Sequence, residues 1–171
     1  MMRIESAPAA APILVFGIGN PSRGDDALGP LLIERLMREQ AVGRLPGVDL
    51  LTDFQFQPEH ALDLRTRRQL VVVDANLNGA APFAVHRLAP DAGMSHSTHA
   101  MGAAELLAIT LRLYGRAPDA WLLAVRGVDF ELGSDLSSPA RDHLDAVTDY
   151  LIECRCRLVS RRQFSIQALS A

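Results

Sequence analysis

Apolar positions along this chain switch repeatedly between continuous or period-two runs and a period near 3.6 residues. Pro12 to Gly19 (PILVFGIG) is short, apolar and closed by glycines, and predicts a buried strand. From Asp26 to about Gln40, Leu28, Leu31, Leu32, Ile33, Leu36 and Met37 form a helical stripe. Val48 to Thr52 predicts a second strand, and Pro58 to Arg65 a short helix with Ala61, Leu62 and Leu64 inward. Leu70 to Ala75 (LVVVDA) reads as a strand buried on both faces. Phe83 to Leu88 alternates as an edge strand would. Ala100 to Tyr114 predicts a helix, Trp121 to Val125 a further strand, and Ser137 to about Val159 a closing helix. In that last element Ser137 or Ser138 is the N-cap and Pro139 takes an early position.

Strands alternating with helices predict an α/β protein, a three-layer α/β/α sandwich around a mostly parallel, twisted sheet of about five strands. Residues 12–160 form one expected domain, preceded by a flexible lead-in at 1–11 and followed by a tail at 161–171. The Gly/Ala/Pro/Ser-rich stretch from Asn78 to Thr98 is the longest expected irregular region.

Composition removes several classes of function. With 49% apolar and 22% charged residues the chain is ordinary for a globular protein. All seventeen basic residues are Arg, which excludes a P-loop and its lysine. A net charge of −3 with interspersed signs offers no basic stripe for nucleic acid. No apolar run reaches the roughly 20 residues needed to span a bilayer, so no membrane is expected. Cys154 and Cys156 lack partners for a disulfide framework or a zinc site and read as structural thiols, which makes the expected compartment cytoplasmic.

Three places can carry chemistry. In Gly17-Ile18-Gly19-Asn20-Pro21-Ser22-Arg23-Gly24-Asp25-Asp26, a strand end delivers two adjacent carboxylates to a helix start. Capping accounts for one of them, with Asp25 as N-cap, and leaves the second without a role. Asp74 ends LVVVDA, at the carboxyl end of a central strand; it either caps the following turn or faces a cation. His96-Ser97-Thr98-His99 precedes a helix whose start Ser97 or Thr98 would cap. Two carboxylates and an imidazole from separate strand ends leave coordination positions open, which suits nickel, zinc or iron in a site of recognition or catalysis.

At these residues the chain resembles a known family. GIGNPSRGDDALGP resembles the opening motif of the hydrogenase maturation endopeptidases, VVVDA their second signature, and STHAMGAAELL their His motif. GVDFELGSDLSSP, Gly127 to Pro139, resembles their closing region, so the likeness spans nearly the whole chain in order. Leu50 to Leu64 (LLTDFQFQPEHALDL) resembles the subgroup serving NAD-reducing bidirectional hydrogenases. The resemblance implies an endopeptidase that removes the C-terminal extension of a [NiFe] hydrogenase large-subunit precursor after nickel insertion. It implies Asp26, Asp74 and His99 as metal ligands and catalytic residues, with Asn20 and Asp53 binding substrate. His96 remains the alternative imidazole. The nickel would come with the substrate instead of being held by the free enzyme. Ala27 departs from the glycine that often follows the acidic pair.

There is no Gly-x-Ser-x-Gly elbow, no His-Glu-x-x-His pair and no cysteine near the His motif, which argues against a covalent nucleophile. Two rivals stand beside this reading. A nickel-binding accessory protein could use the same ligands without cleavage. Peptidyl-tRNA hydrolase shares the Gly-x-Gly-Asn-Pro opening, but here an acidic pair stands where its histidine would fall. Ser22 at the third glycine position weakens dinucleotide binding.

Overall fold

The computed structural model describes residues 11–91 and 101–158. Strand β1 is Ile13–Ile18, β2 Val48–Asp53, β3 Gln69–Asn76, β4 Phe83–Leu88 and β5 Asp119–Arg126. They form one sheet in the order β2-β1-β3-β5-β4. All neighbours pair in parallel except β4, which lies antiparallel on β5 at the edge. The helices are α1 (Leu28–Ala41), α2 (Ala61–Leu64), α3 (Ala103–Tyr114) and α4 (Ser138–Leu158). The expected α/β class and mostly parallel five-stranded sheet are observed.

Period-two alternation in strands buried on both sides produces two cores. Val15, Val71, Val73, Leu123 and Val125 pack with Leu28, Leu32, Ile33 and Leu36 of α1 and with Leu144 and Val147 of α4. Leu14, Phe16, Ile18, Leu70 and Val72 pack on the other face with Leu64 of α2 and Leu106 and Leu107 of α3. The sheet is thus the middle of three layers.

Several local expectations need correction. Gly24–Ala27 is a 3-10 turn, so α1 begins at Leu28 and not at Asp26. Asp25 does not cap that turn, which has no side-chain cap. Met37 is 56% exposed, because Leu28, Leu32, Ile33 and Leu36 already close the buried face of α1. Leu62 is also 56% exposed; the single turn of α2 turns only Ala61 and Leu64 inward. Helix α3 begins at Ala103 with Gly102 at its N-cap position, later than a cap at Ser97 or Thr98 requires. In α4, Ser137 Oγ accepts the amide of Ala140 at 3.3 Å, the N-cap expected there.

Candidate active site

The carboxyl ends of β1, β2 and β3 lie side by side. Ile18 is in register with Asp53, and Gly17 with Val73, the residue before Asp74. Chain connections diverge here: β1 leads by way of α1 to β2 on one side, while β3 continues toward β4 and β5 on the other. This is a topological switch point, where parallel sheets leave a crevice for ligands.

Glycines make the crevice possible by letting backbone approach backbone. A Cβ on Gly17 would fall 2.5 Å from the carbonyl oxygen of Gly29, and one on Gly29 would fall 2.2 Å from that of Ile18. Strand β1 and the start of α1 therefore touch without intervening side chains. Gly19, at φ +143°, has the Asp26 carbonyl oxygen 2.0 Å from where its Cβ would be. The loop folds back on itself, and the amide of Asn20 donates to Asp26 Oδ2 at 3.0 Å.

Asp25 and Asp26 have divergent roles. Asp25 is fully buried. Its Oδ2 accepts the amides of Val128 (2.7 Å) and Asp129 (3.0 Å) and the hydroxyl of Ser137 (2.8 Å), while Oδ1 accepts the Ser137 amide at 2.8 Å. Burial pushes its pKa up, but the hydrogen bonds from Val128, Asp129 and Ser137 outweigh burial and hold it below the usual carboxylate value. Gly24 N–H to Ser134 O (3.1 Å) and Gly133 N–H to Ser22 O (2.8 Å) add to the clamp. Asp25 thus fastens the loop after β1 to the segment after β5.

Asp26, freed from that task, lies close to Asp74. Burial, first, and the negative charge of Asp26 raise the Asp74 pKa to about 6, against the opposing hydrogen bond from the Ala75 amide. Two neighbouring carboxylates at the end of a central strand make a site for a shared proton or a cation. Among the described residues, no group of three His, Cys, Asp or Glu could hold a metal ion. Asp26 and Asp74 offer two hard oxygen ligands, and a complete set needs further donors. His99 and His96 lie outside the described residues.

Asn20 spends its side-chain oxygen locally, accepting the amide of Ser22 at 2.9 Å, which shapes the loop. Asp53 ends β2 and does not form a metal-ligating trio with the pair. Its Oδ1 accepts the amide of Phe54 at 2.6 Å, and its Oδ2 lies 3.4 Å from His60 Nε2. His60 escapes the sequence reading. The available signal is Gln57-Pro58-Glu59-His60, an N-cap, a proline and a polar third residue, with imidazole in the place usually taken by Glu or Gln. Exposed apolar side chains follow the same strand ends: Phe54 after β2, Leu77 after β3, and Val128 and Leu132 after β5.

Comparison with solved structures bears on the fold. The chain is similar to the [NiFe] hydrogenase maturation protease HycI from Thermococcus kodakarensis, with 23% identity, 85% of this chain and 93% of that one covered, and a TM-score of 0.66. It is similar to the same degree to the hydrogenase maturating endopeptidase HybD from E. coli (23% identity, 86% and 92% covered, TM-score 0.66). An uncharacterized protein from Wolinella succinogenes also matches (21% identity, 86% and 99% covered, TM-score 0.56). No protein-family model and no curated protein matches the sequence. The chain therefore has the fold of the hydrogenase maturation proteases.

Proposed function

We propose that this protein is an endopeptidase that removes the C-terminal extension of a [NiFe] hydrogenase large-subunit precursor once nickel has been inserted. The observation that carries the reading is the Asp26–Asp74 pair at the switch point, in a fold shared with proteases described as acting in hydrogenase maturation. Asp26, Asp74 and His99 are the proposed ligands for nickel that arrives with the substrate. A half-buried acidic pair is poorly satisfied alone, so a precursor lacking nickel would be discriminated against.

The pair also has acid–base capacity. Asp74, with its pKa raised to about 6, can take up or release a proton, while Asp26 is oriented by the Asn20 amide. In this mechanism one carboxylate removes a proton from the water that attacks the scissile carbonyl, and that proton passes to the leaving amine. The protein supplies the base, the orientation of the loop and the crevice. Bound nickel supplies Lewis acidity when the substrate brings it.

The proposed setting is cytoplasmic. Among the described residues no helix is long and apolar enough to cross a membrane. Leu50 to Leu64 supports a substrate of the NAD-reducing bidirectional class through its likeness to that subgroup. The test is processing of nickel-loaded precursor by Asp26→Asn, Asp74→Asn and His99→Ala variants. Loss of the short C-terminal peptide product is expected in each; near-wild-type cleavage by all three overturns the assignment.

A further inference from the structure

His60 lies beside the carboxylate site without belonging to it. Its Nδ1 accepts the amide of Gln57 at 2.9 Å, so the neutral ring carries its proton on Nε2. That nitrogen lies 3.4 Å from Asp53 Oδ2. Phe16 and Phe56 meet the imidazole edge-on, at centroid distances of 4.8 and 6.4 Å, and restrict its rotation. The His60 side chain is 13% exposed and that of Asp53 is 40% exposed, so a largely enclosed ring lies against a more accessible carboxylate. The Asp53 backbone carbonyl accepts the amide of Gly19 at 3.2 Å, tying the end of β2 to the loop that carries Asp26.

We infer that His60 is a positioning residue for substrate binding: its Nε2–H, facing Asp53, fixes that carboxylate as an acceptor for a hydrogen-bond donor on the bound polypeptide. The inference rests on the endopeptidase reading above. An accessible Asp side chain normally samples several rotamers and loses that freedom on binding. Here Oδ1 is held by the Phe54 amide and Oδ2 faces the imidazole, so part of the ordering is complete before substrate arrives.

Full-length His60→Gln and His60→Asn proteins separate the possibilities. A glutamine amide nitrogen reaches the place of Nε2, whereas the asparagine amide reaches only that of Nδ1. With nickel-loaded precursor, His60→Asn should raise KM by about three- to tenfold and leave kcat within about twofold. His60→Gln should restore most of the loss. In an Asp53→Ala background His60→Asn should add nothing, since the histidine acts through that carboxylate. Equal losses in both His60 variants that track their melting temperatures, or full additivity with Asp53→Ala, overturn the inference. Nitrogen NMR of the free wild-type protein gives a readout independent of cleavage: Nε2 protonated and Nδ1 bare is expected, and the opposite tautomer overturns the inference. Wild-type protein that leaves the precursor uncut defeats the endopeptidase reading and the substrate role together. Cleavage that His60→Asn does not alter defeats the positioning role alone.

Discussion

Ser137 gives both its amide and its hydroxyl to Asp25, each at 2.8 Å, across 112 positions of sequence. Two further amides, from Val128 and Asp129, complete the shell of a carboxylate with no exposed surface. The neighbouring Asp26 consequently enters the crevice on a loop anchored at its base.

Replacing Asp25 by Asn keeps the shape but turns a donor toward donors. Loss of a buried, fully bonded carboxylate should cost about 2–4 kcal/mol. The sign with pH follows from the lowered folded-state pKa. Asp25 stabilises the fold above its unfolded value and loses that contribution as pH falls through the folded one. Calorimetry across acid pH should therefore show the wild-type advantage over Asp25→Asn shrinking as the solution is acidified. A gap that is constant with pH contradicts the clamp.

Asp74 behaves in the opposite sense. Its folded pKa of about 6 lies above the ordinary 3.8, so the native state keeps a proton that the unfolded chain has released between those values. Its contribution is fully favourable below the unfolded value and is lost as pH rises through the folded one. At roughly 1.4 kcal/mol per pH unit, a two-unit shift costs up to about 3 kcal/mol once the group is charged. Asp74→Asn should thus melt higher than wild type at neutral pH, the two should converge near the ordinary carboxylate pKa, and the variant should be inactive. A lower melting temperature for the variant at neutral pH would refute this account.

Nickel alone should bind weakly to the free protein, because in the proposed function the metal arrives with the substrate, whose own ligands complete the shell. Isothermal titration with nickel, with and without precursor, checks this. Tight one-to-one binding without substrate, together with no cleavage of the loaded precursor, would favour the accessory-protein reading.

At Gly29, alanine would bring a Cβ to within 2.2 Å of the Ile18 carbonyl oxygen. Backbone cannot yield as a side chain can, so Gly29→Ala should destabilise by about 1–3 kcal/mol or more. Urea denaturation reads this directly, and cleavage should fall in the same variant because β1 and α1 frame the acidic loop.

Leu132 is 76% exposed and Phe54 66% exposed. Changing either to Asp should move stability by only about 0.5 kcal/mol, while weakening capture of the precursor if these strand-end loops form the docking rim. Pull-down of precursor compared with melting temperature distinguishes the two effects.

The sheet is legible in the sequence because its central strands β1, β3 and β5 are buried on both faces. LVVVDA and PILVFGIG cannot be amphipathic helices at that length, and the alternation of Phe83 to Leu88 marks an edge. The acid at the end of β3 is legible for the same reason, since a carboxylate after four apolar strand residues must emerge at the rim. Periodicity does not record how much of an apolar stripe the core can accept, which is why Met37 and Leu62 complete a pattern yet face solvent. Nor does local pattern reveal the work of Asp25, whose partners lie more than a hundred positions away. His60 is hidden for a subtler reason: its hydrogen bond to Gln57 is short-range, but an imidazole closing a capping box is outside the usual Glu/Gln signature.

The Asp25–Ser137 link also has a consequence in time. The loop bearing Asp26 is made early in synthesis, but its fastening belongs to the segment leading into α4. A nascent chain released up to β5 could pair its strands and still lack the clamp that anchors the acidic loop. Competence for cleavage would therefore arrive late in translation, after residue 137 has emerged, and a partly made chain would be kept from acting on a precursor by the order in which its own parts appear.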